Sequence, residues 1–356
     1  MKFSIAVNME RYRASDDIRR VAAHALDLVK LAEQGGFEIA WAAEHHSIEL
    51  VIAPNPFSLL THWAAHTRTI RLGTAVIVAP YWHPIRAAGE AALCDVLSGG
   101  RLEFGISRGA FQYEFDRMAG GIPQQQGVAH VKEMLPAIKA LWRGDYEHNG
   151  ALWRFPRATS VPKPLQKPHP PVWVAARDPG TFDFALEQGA NIMATPLSRP
   201  HAEVGILGER YRATLAKYPG APRPRFLMLR RTCVYSRRED WRIPVEVSID
   251  YSRRFETLFK NVGGVENGFP EPTDLEQVAD RADFRPDAIR DAMVFGTPEE
   301  VVDKLNSYAA AGVEQFCYGA NFGLAPEFAM RSLELFITEV MPHFAEPTAA
   351  AAARRH

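Results

Sequence analysis

The sequence of 356 residues predicts an α/β protein of the TIM-barrel class, a (β/α)8 barrel with insertions on its rim. Short runs rich in β-branched residues alternate with longer segments of helical periodicity, which predicts parallel strands joined by right-handed crossovers. About eight such strands occur, the number that closes a barrel. No GxGxxG turn follows any of them, which counts against a doubly wound sheet.

The strands and helices are predicted in an alternating order along the chain. The predicted strands are KFSIAV, FEIAWAA, IRLGTAVIVA, RLEFGIS, PPVWVAA, ANIMATP, RFLMLRRTCVYS and EQFCYGAN. The clearest helix is DIRRVAAHALDLVKLAEQGG, whose periodic pattern ends at a glycine pair. Later helices are VKEMLPAIKALWRG, PGTFDFALEQG, TPEEVVDKLNSYAAAG and EFAMRSLELFITEVMPHF.

Two stretches interrupt this repeat. Residues 145–170 are rich in proline and aromatic residues and are predicted to connect to the fifth strand. Residues 236–297 separate the last two strands and contain an amphipathic segment, VEVSIDYSRRFETLF. Such an insertion is commonly a lid or substrate loop, and a plain surface excursion is the alternative. The sequence therefore predicts one domain over 1–344 and a frayed tail over 345–356.

The composition is that of a soluble protein whose partners are small molecules or other protein chains. A formal net charge of −1 gives no electrostatic attraction to nucleic acid or to an anionic membrane. No stretch approaches the length of a transmembrane helix, and the start lacks the pattern of a signal peptide. Cys94, Cys233 and Cys317 are far apart in apolar segments, which predicts reduced thiols in a cytoplasmic protein.

Polar residues follow the predicted strands, at the end of the barrel where enzymes of this fold carry their active groups. Asn8-Met9-Glu10 follows the first strand and Glu44-His45-His46 the second. Neighbouring residues in extended backbone point to opposite faces, so His45 and His46 are poorly placed to bind one metal ion. HExxH and an HxH on the first strand are both absent, so no metal site is predicted. Catalytic and structural roles for the two histidines both stay open from these residues alone.

The fourth and fifth strands end in residues suited to an anion. Asp178 and Pro179 are a good N-cap and first residue for a helix, whose free N–H groups attract phosphate. Thr181 adds a hydroxyl donor, whereas the Asp178 carboxylate would repel a phosphate. Arg108 is the natural counter-charge, since a guanidinium binds phosphate through paired N–H donors. The alternatives are a capped helix without a ligand and a surface ion pair.

Taken in order, several motifs resemble those of the bacterial luciferase-like flavin-dependent monooxygenases. They are GFEIAWAAEHH with APNP, RLGTAVIVAPYWHP, LSGGRLEFGISRGA, VWVAA before a helix start, FGTPEEVVDKL and ITEVMPHF. The resemblance runs from Met1 to about Phe344. It implies a barrel that binds reduced FMN supplied by a separate flavin reductase. In that family the reduced FMN reacts with O2 to form a C4a-hydroperoxide, which oxygenates the substrate.

The resemblance also implies roles for individual residues. His45 corresponds to the histidine that stabilises or uses the flavin intermediate, with Glu44 and His46 supporting it. An imidazole suits this role because it exchanges a proton near neutral pH. A non-proline cis peptide beneath the flavin maps to Ala75-Val76. The further cofactor-binding residues are Ser107, Arg108, His130, Ala176, Arg177, Asp178 and Thr181.

Three positions depart from the luciferase α subunit. Ser107 stands in place of its reactive cysteine, and His130 in place of a second phosphate-binding arginine. Arg177 and Asp178 replace a Glu-Ser pair, so only Thr181 transfers directly to the phosphate role.

Apolar and aromatic rim residues predict a hydrophobic organic substrate, an aldehyde, a ketone or an aromatic compound, in a site that excludes water. These residues are Met9, Tyr81, Trp82, Phe111 and Tyr113. The alternatives are hydride transfer with deazaflavin F420, a non-catalytic partner like the luciferase β subunit, and a metal-dependent hydrolase.

The resemblance also implies a homodimer formed through the helices near 57–67 and 84–99. The second helix contains small residues that would let another helix approach closely. They are Ala87, Ala88, Gly89, Ala91 and Ala92. Small residues can equally serve packing within one chain.

Overall fold

Eight parallel strands form a closed barrel in the computed structural model, which describes residues 1–260, 263–278 and 280–345. Each strand pairs with its neighbour in the chain, and the last pairs with the first, so the predicted barrel is confirmed. The barrel strands are β1 (Lys2–Ala6), β2 (Ile39–Ala42), β3 (Arg71–Thr74), β4 (Leu102–Ser107), β5 (Val172–Ala175), β6 (Asn191–Ala194), β7 (Phe226–Val234) and β8 (Gln315–Gly319).

Helices surround the barrel, and several begin at a residue whose side chain caps the first turn. Asp17, Asn55 and Asp178 each accept a hydrogen bond from a backbone N–H of the helix they precede. The helices are α1 (Ile18–Gln34), α2 (Pro56–His66), α3 (Pro84–Leu97), α4 (Gln112–Met118), α5 (Gly127–Arg143), α6 (Pro179–Glu187), α7 (Glu203–Lys217), α8 (Arg242–Lys260), α9 (Pro286–Ala292), α10 (Pro298–Ala310) and α11 (Pro326–Leu335).

Side chains along the barrel strands alternate between two apolar layers. On β7, Phe226 and Met228 pack between barrel and helices, whereas Leu227 and Leu229 face the barrel interior. The interior is filled by Trp41 and Trp173, whose rings meet edge to face at 5.4 Å. The carboxyl ends of the strands form the mouth of the barrel.

The insertion between β7 and β8 covers part of this mouth. It contains α8, α9, a short antiparallel pair (Val265–Glu266 with Phe269–Pro270) and a strand, Val294–Gly296, that extends the end of β7. Phe255 and Phe259 of α8 contact the Phe111 ring at centroid distances of 5.3 and 4.6 Å. A lid function for this insertion stays a prediction.

Two other predicted regions have simpler descriptions. Residues 145–170 include an antiparallel hairpin, Tyr146–Asn149 with Arg154–Ala158. Beyond Ala345, the predicted tail lies outside the described residues. Within the described residues, no helix is long and apolar enough to cross a membrane.

The small residues of α3 serve packing within the chain. Ala87, Ala88, Ala91 and Ala92 are fully buried, and α3 packs against α5. Trp142 of α5 donates its indole N–H to the carbonyl of Ala88 at 2.9 Å. The homodimer predicted through α2 and α3 stays a prediction, but these alanines already have an intrachain role.

Candidate active site

His45 lies just beyond β2, and its imidazole forms a pair with the Glu114 carboxylate. The Nδ1 atom is 3.1 and 3.2 Å from the two carboxylate oxygens. The ring stacks on Phe111 at 4.9 Å and its side chain is 18% exposed. An Nδ1–H that donates to Glu114 leaves the lone pair on Nε2, so this atom can accept a proton.

Sequence reasoning missed Glu114. Its side chain is almost fully buried, and it lies in α4, beyond the end of β4. It also accepts the backbone N–H of His46 at 2.6 Å, so it holds both the ring of His45 and the backbone beside it. A carboxylate among the aromatic residues of FQYEF was a visible signal. The sequence did not show that this carboxylate would meet His45.

The carboxylate of Glu44 is buried and lies within hydrogen-bonding distance of three neighbouring groups. Its carboxylate accepts the backbone N–H of Val78 at 2.6 Å and the indole N–H of Trp82 at 2.9 Å. The Nε2 atom of His46 lies 2.7 Å from the same group. Glu44 and His46 therefore point to the side away from His45, as alternation along extended backbone requires. The supporting role of Glu44 and His46 stays a prediction, and the predicted substrate residue Trp82 lies against Glu44.

The segment after β3 lies between these groups and the barrel interior. The Ala75–Val76 peptide is cis, and the Ala75 N–H donates to the carbonyl of Ala42 at 2.7 Å. Both side chains pack against the apolar interior of the barrel. Because Val78 is bonded to Glu44, the carboxylate ties this segment to the end of β2.

The ends of β4 and β5 carry an excess of positive charge. Within the described residues, Arg108 makes one long contact, from Nη1 to the Gln124 carbonyl at 3.5 Å, so most of its donors remain available. Arg177 lies 3.7 Å from Glu203, and its buried Nε has no partner in the described part of the chain. Burial and the neighbouring Arg199 lower the pKa of Arg177. An anion such as a phosphate would offset this charge, so the donor set fits FMN.

The start of α6 is already capped. Asp178 accepts both the backbone N–H of Thr181, at 3.0 Å, and its hydroxyl, at 2.7 Å. Burial raises the pKa of Asp178, but these hydrogen bonds outweigh that effect and the pKa lies below its usual value. A phosphate at this helix start would compete with Asp178 for the donors of Thr181. The phosphate role predicted for Thr181 stays a prediction.

The other predicted cofactor residues lie around the same edge. Ser107 pairs with Val78, and the Ala176 N–H donates to the Met193 carbonyl at 2.9 Å. His130 lies in the first turns of α5, with Nδ1 3.2 Å from the Gln126 carbonyl. Their contact with a cofactor stays a prediction.

The predicted substrate residues divide into two groups. Phe111 and Tyr81 lie beside the histidines, since Phe111 stacks on His45 and Tyr81 meets His46 edge to face at 5.4 Å. The buried Tyr81 hydroxyl has no partner among the described residues. The Tyr113 hydroxyl donates to the Ser47 carbonyl, and the partly buried Met9 side chain packs against the main hydrophobic core, so both side chains have contacts within the chain.

The described residues contain no group of three or more His, Cys, Asp or Glu side chains placed to hold a metal ion.

Comparison with known proteins places this site in a family context. The family model of luciferase-like monooxygenases matches residues 1–315. The oxygenase component of a flavin-dependent trigonelline monooxygenase from Acinetobacter baylyi is 40% identical, over 97% of this chain and 96% of its own length. An alkanal monooxygenase α chain from Photorhabdus laumondii is 23% identical, over 92% and 93% of the two chains.

Solved structures with the same fold include two monooxygenases. One, from Streptomyces bottropensis, superposes with a TM-score of 0.81 at 24% identity, covering 97% of this chain and all of its own. The other is the oxygenating constituent of 3,6-diketocamphane monooxygenase from Pseudomonas putida, in complex with FMN. It superposes with a TM-score of 0.74 at 17% identity, covering 96% and 98% of the two chains.

Proposed function

Because this chain belongs to the luciferase-like monooxygenase family, we propose that it is the FMNH2-dependent oxygenase component of a two-component system. A separate flavin reductase supplies the reduced FMN. One atom of O2 enters an organic substrate with a large apolar surface, an aldehyde, a ketone or an aromatic compound. The other oxygen atom leaves as water, with the two electrons coming from FMNH2.

The observation that carries this proposal is the His45–Glu114 pair at the mouth of the barrel. Bound reduced FMN supplies the electrons and activates O2. His45 accepts or returns a proton at Nε2, while Glu114 holds Nδ1 and so keeps the ring in one orientation. Phe111 covers one face of the imidazole and limits its contact with water.

Arg108 and Arg177 would hold the phosphate of FMN. Ala75, Val76, Ser107 and Ala176 would line the site of the flavin ring. The paired His45 and the open donors of Arg108 are groups that a non-catalytic partner subunit would not need. Absorption spectra of the bound cofactor distinguish FMN from F420.

Anaerobic titration with reduced FMN, followed by mixing with oxygenated buffer, tests the function directly. We expect saturable binding and, with a substrate, incorporation of one labelled oxygen atom from isotopically labelled O2. Absence of FMNH2 binding, or product oxygen that comes from water, would contradict the proposal.

Replacement of Arg108 by Gln is expected to weaken the binding of reduced FMN by about 10- to 100-fold, because a charge-assisted hydrogen bond is lost. Anaerobic fluorescence titration measures the dissociation constant. Arg143→Gln, a change of an exposed arginine at the C-terminal end of α5, is the matched control and should bind FMNH2 like the parent. Equal affinities for all three proteins would remove Arg108 from the phosphate site.

Replacement of Glu114 by Gln is expected to lower the oxygenation rate by about 10- to 100-fold, since the orientation of His45 is lost while its ring remains. The dissociation constant of FMNH2 should not change. The rate is measured as product formed per turnover of reduced flavin. Asp116→Asn changes an exposed carboxylate on the same helix and should leave the rate unaltered. A Glu114→Gln enzyme as fast as the parent would show that His45 does not need this partner.

We further propose a cytoplasmic homodimer. The three cysteines are unpaired and buried, which suits a reducing compartment. On α3, Leu93 and Leu97 are 46% and 57% exposed and would be covered by a second subunit. Size-exclusion chromatography with light scattering measures the oligomeric state, and a monomer would refute the dimer.

A further inference from the structure

Arg231 points into the barrel mouth from the end of β7. It has the same parity on this strand as Leu227 and Leu229, which face the barrel interior. Its Nη1 donates to the Ser252 hydroxyl at 3.1 Å, and its guanidinium lies 4.3 Å from the centre of the Tyr251 ring. Within the described residues, its Nε and Nη2 have no hydrogen-bonding partner. Burial lowers the pKa of Arg231, although the nearby Tyr251, Tyr12 and Glu10 act in the opposite direction.

Glu10 lies in the same region, just beyond β1. Its Oε2 accepts the Gly323 N–H at 3.1 Å and the Tyr12 hydroxyl at 3.2 Å. Its Oε1 is buried without a partner in the described part of the chain. Burial raises the pKa of Glu10 to about 8, although Arg231 acts in the opposite direction.

Glu10 and Arg231 influence each other electrostatically without forming an ion pair. In the described structure, no guanidinium nitrogen of Arg231 lies within 4.0 Å of a carboxylate oxygen of Glu10, so neither group satisfies the other. Buried polar groups in folded proteins normally have a hydrogen-bonding partner. A ligand with two opposite charges would satisfy both residues at once.

A line of aromatic rings joins this region to His45. Phe111 stacks on His45 at 4.9 Å and contacts Phe255 at 5.3 Å. Phe255 stacks on Tyr251 at 4.4 Å, and Tyr251 lies beneath Arg231. These buried rings therefore connect the surroundings of Arg231 with the proposed catalytic histidine.

We propose that Arg231 and Glu10 select a zwitterionic aromatic substrate that carries a carboxylate and a cationic ring nitrogen. The planar guanidinium binds the carboxylate through its free donors, and Glu10 receives the cation. This inference rests on the proposed function and specifies its substrate class. A neutral aldehyde would leave both residues unpaired, so the substrate is apolar on its faces and charged at its ends.

Isothermal titration calorimetry of the full chain with reduced FMN under anaerobic conditions tests this selection. The probes are N-methylpyridinium-3-carboxylate (trigonelline), nicotinate, which lacks the fixed cation, and N-methylnicotinamide methylated on the ring nitrogen, which lacks the carboxylate. We expect the probe with both charges to bind about 10- to 100-fold more tightly than either of the others, as charged hydrogen bonds typically allow. Trigonelline that binds no more tightly than nicotinate, or no more tightly than N-methylnicotinamide, would overturn the proposal.

Variants assign the two charges to their residues. Arg231→Gln should lose about 10- to 100-fold in affinity for trigonelline and nicotinate but should keep its affinity for N-methylnicotinamide. Glu10→Gln should lose about 10- to 100-fold in affinity for trigonelline and N-methylnicotinamide but should keep its affinity for nicotinate. Arg242→Gln, an exposed arginine at the start of α8, is the matched control and should bind all probes like the parent. Unchanged affinities in both test variants would overturn the assignment.

Retained binding of N-methylnicotinamide shows that the Arg231→Gln protein is folded. If the Arg231→Gln protein does not fold, Arg231→Lys replaces it and should show a smaller difference in affinity between trigonelline and N-methylnicotinamide than the parent. An unchanged difference would overturn the proposal. Binding of FMNH2 and uptake of oxygen without binding of the zwitterion would refute this inference alone. Binding of the zwitterion that depends on Arg231, without binding of FMNH2, would refute only the proposed monooxygenase function.

Discussion

Replacement of His45 by Ala is expected to lower the oxygenation rate by about 100- to 10,000-fold, the usual contribution of a positioned acid or base. The affinity for reduced FMN should remain unchanged, because the proposed phosphate donors lie at the ends of β4 and β5. The expected loss follows from the proposed role of His45 Nε2 as the proton-exchanging atom, in a ring that Glu114 and Phe111 hold in place. Rapid mixing of the enzyme and reduced FMN with oxygenated buffer, with and without substrate, measures the effect.

An exposed histidine provides the control for this experiment. His62 lies on α2 and is exposed, so His62→Ala should oxygenate the substrate at the parental rate. A His45→Ala enzyme that matches the parent in both the transient flavin absorbance and the product yield would exclude His45 from the chemistry. In that case Glu114 would be a structural residue as well.

Replacement of Glu44 by Leu is expected to lower the free energy of unfolding by about 3–5 kcal/mol, as when one partner of a buried polar network is removed. Three groups lose their acceptor: the Val78 N–H, the Trp82 indole and the His46 ring. Glu44→Gln keeps the shape and part of the hydrogen bonding, so its effect should be smaller. Denaturant unfolding followed by tryptophan fluorescence and circular dichroism gives both values.

The stability experiment also has a matched control. Glu334 is a half-exposed carboxylate on α11 that pairs with Arg331, and Glu334→Leu should leave the free energy of unfolding almost unchanged. If Glu44→Leu unfolds at the same denaturant concentration as this control, the buried network around Glu44 contributes little to stability. The support that it is expected to give the segment after β3 would then come from packing alone.

Most of the architecture was predictable because it follows from local patterns. Parallel strands that alternate with helices have few topologies, and the strand segments recognised in the sequence became the eight strands of the barrel. The opposite directions of His45 and His46 also follow from local geometry, since successive residues in extended backbone face opposite sides. The helix start at Asp178 was readable from its capping residue.

The partners of these residues were not predictable in the same way. Glu114 reaches His45 only because α4 turns back over the end of β2, and Arg231 reaches the mouth through its parity on a long strand. Thr181 has the residue type of a phosphate ligand, but its donors are bonded to Asp178. The alanines of α3 are small enough for a dimer contact, but they pack within the chain.

The sequence by itself determined the barrel, the family and the end of the barrel where the active groups gather, because strand periodicity and ordered motifs are properties of short segments. Only the tertiary structure decided which carboxylate orients His45, which indole binds Glu44 and which buried charges in the mouth still lack a counter-ion. These are contacts between residues far apart in the chain. Their distances depend on how the loops and α8 close over the barrel, which no local pattern encodes.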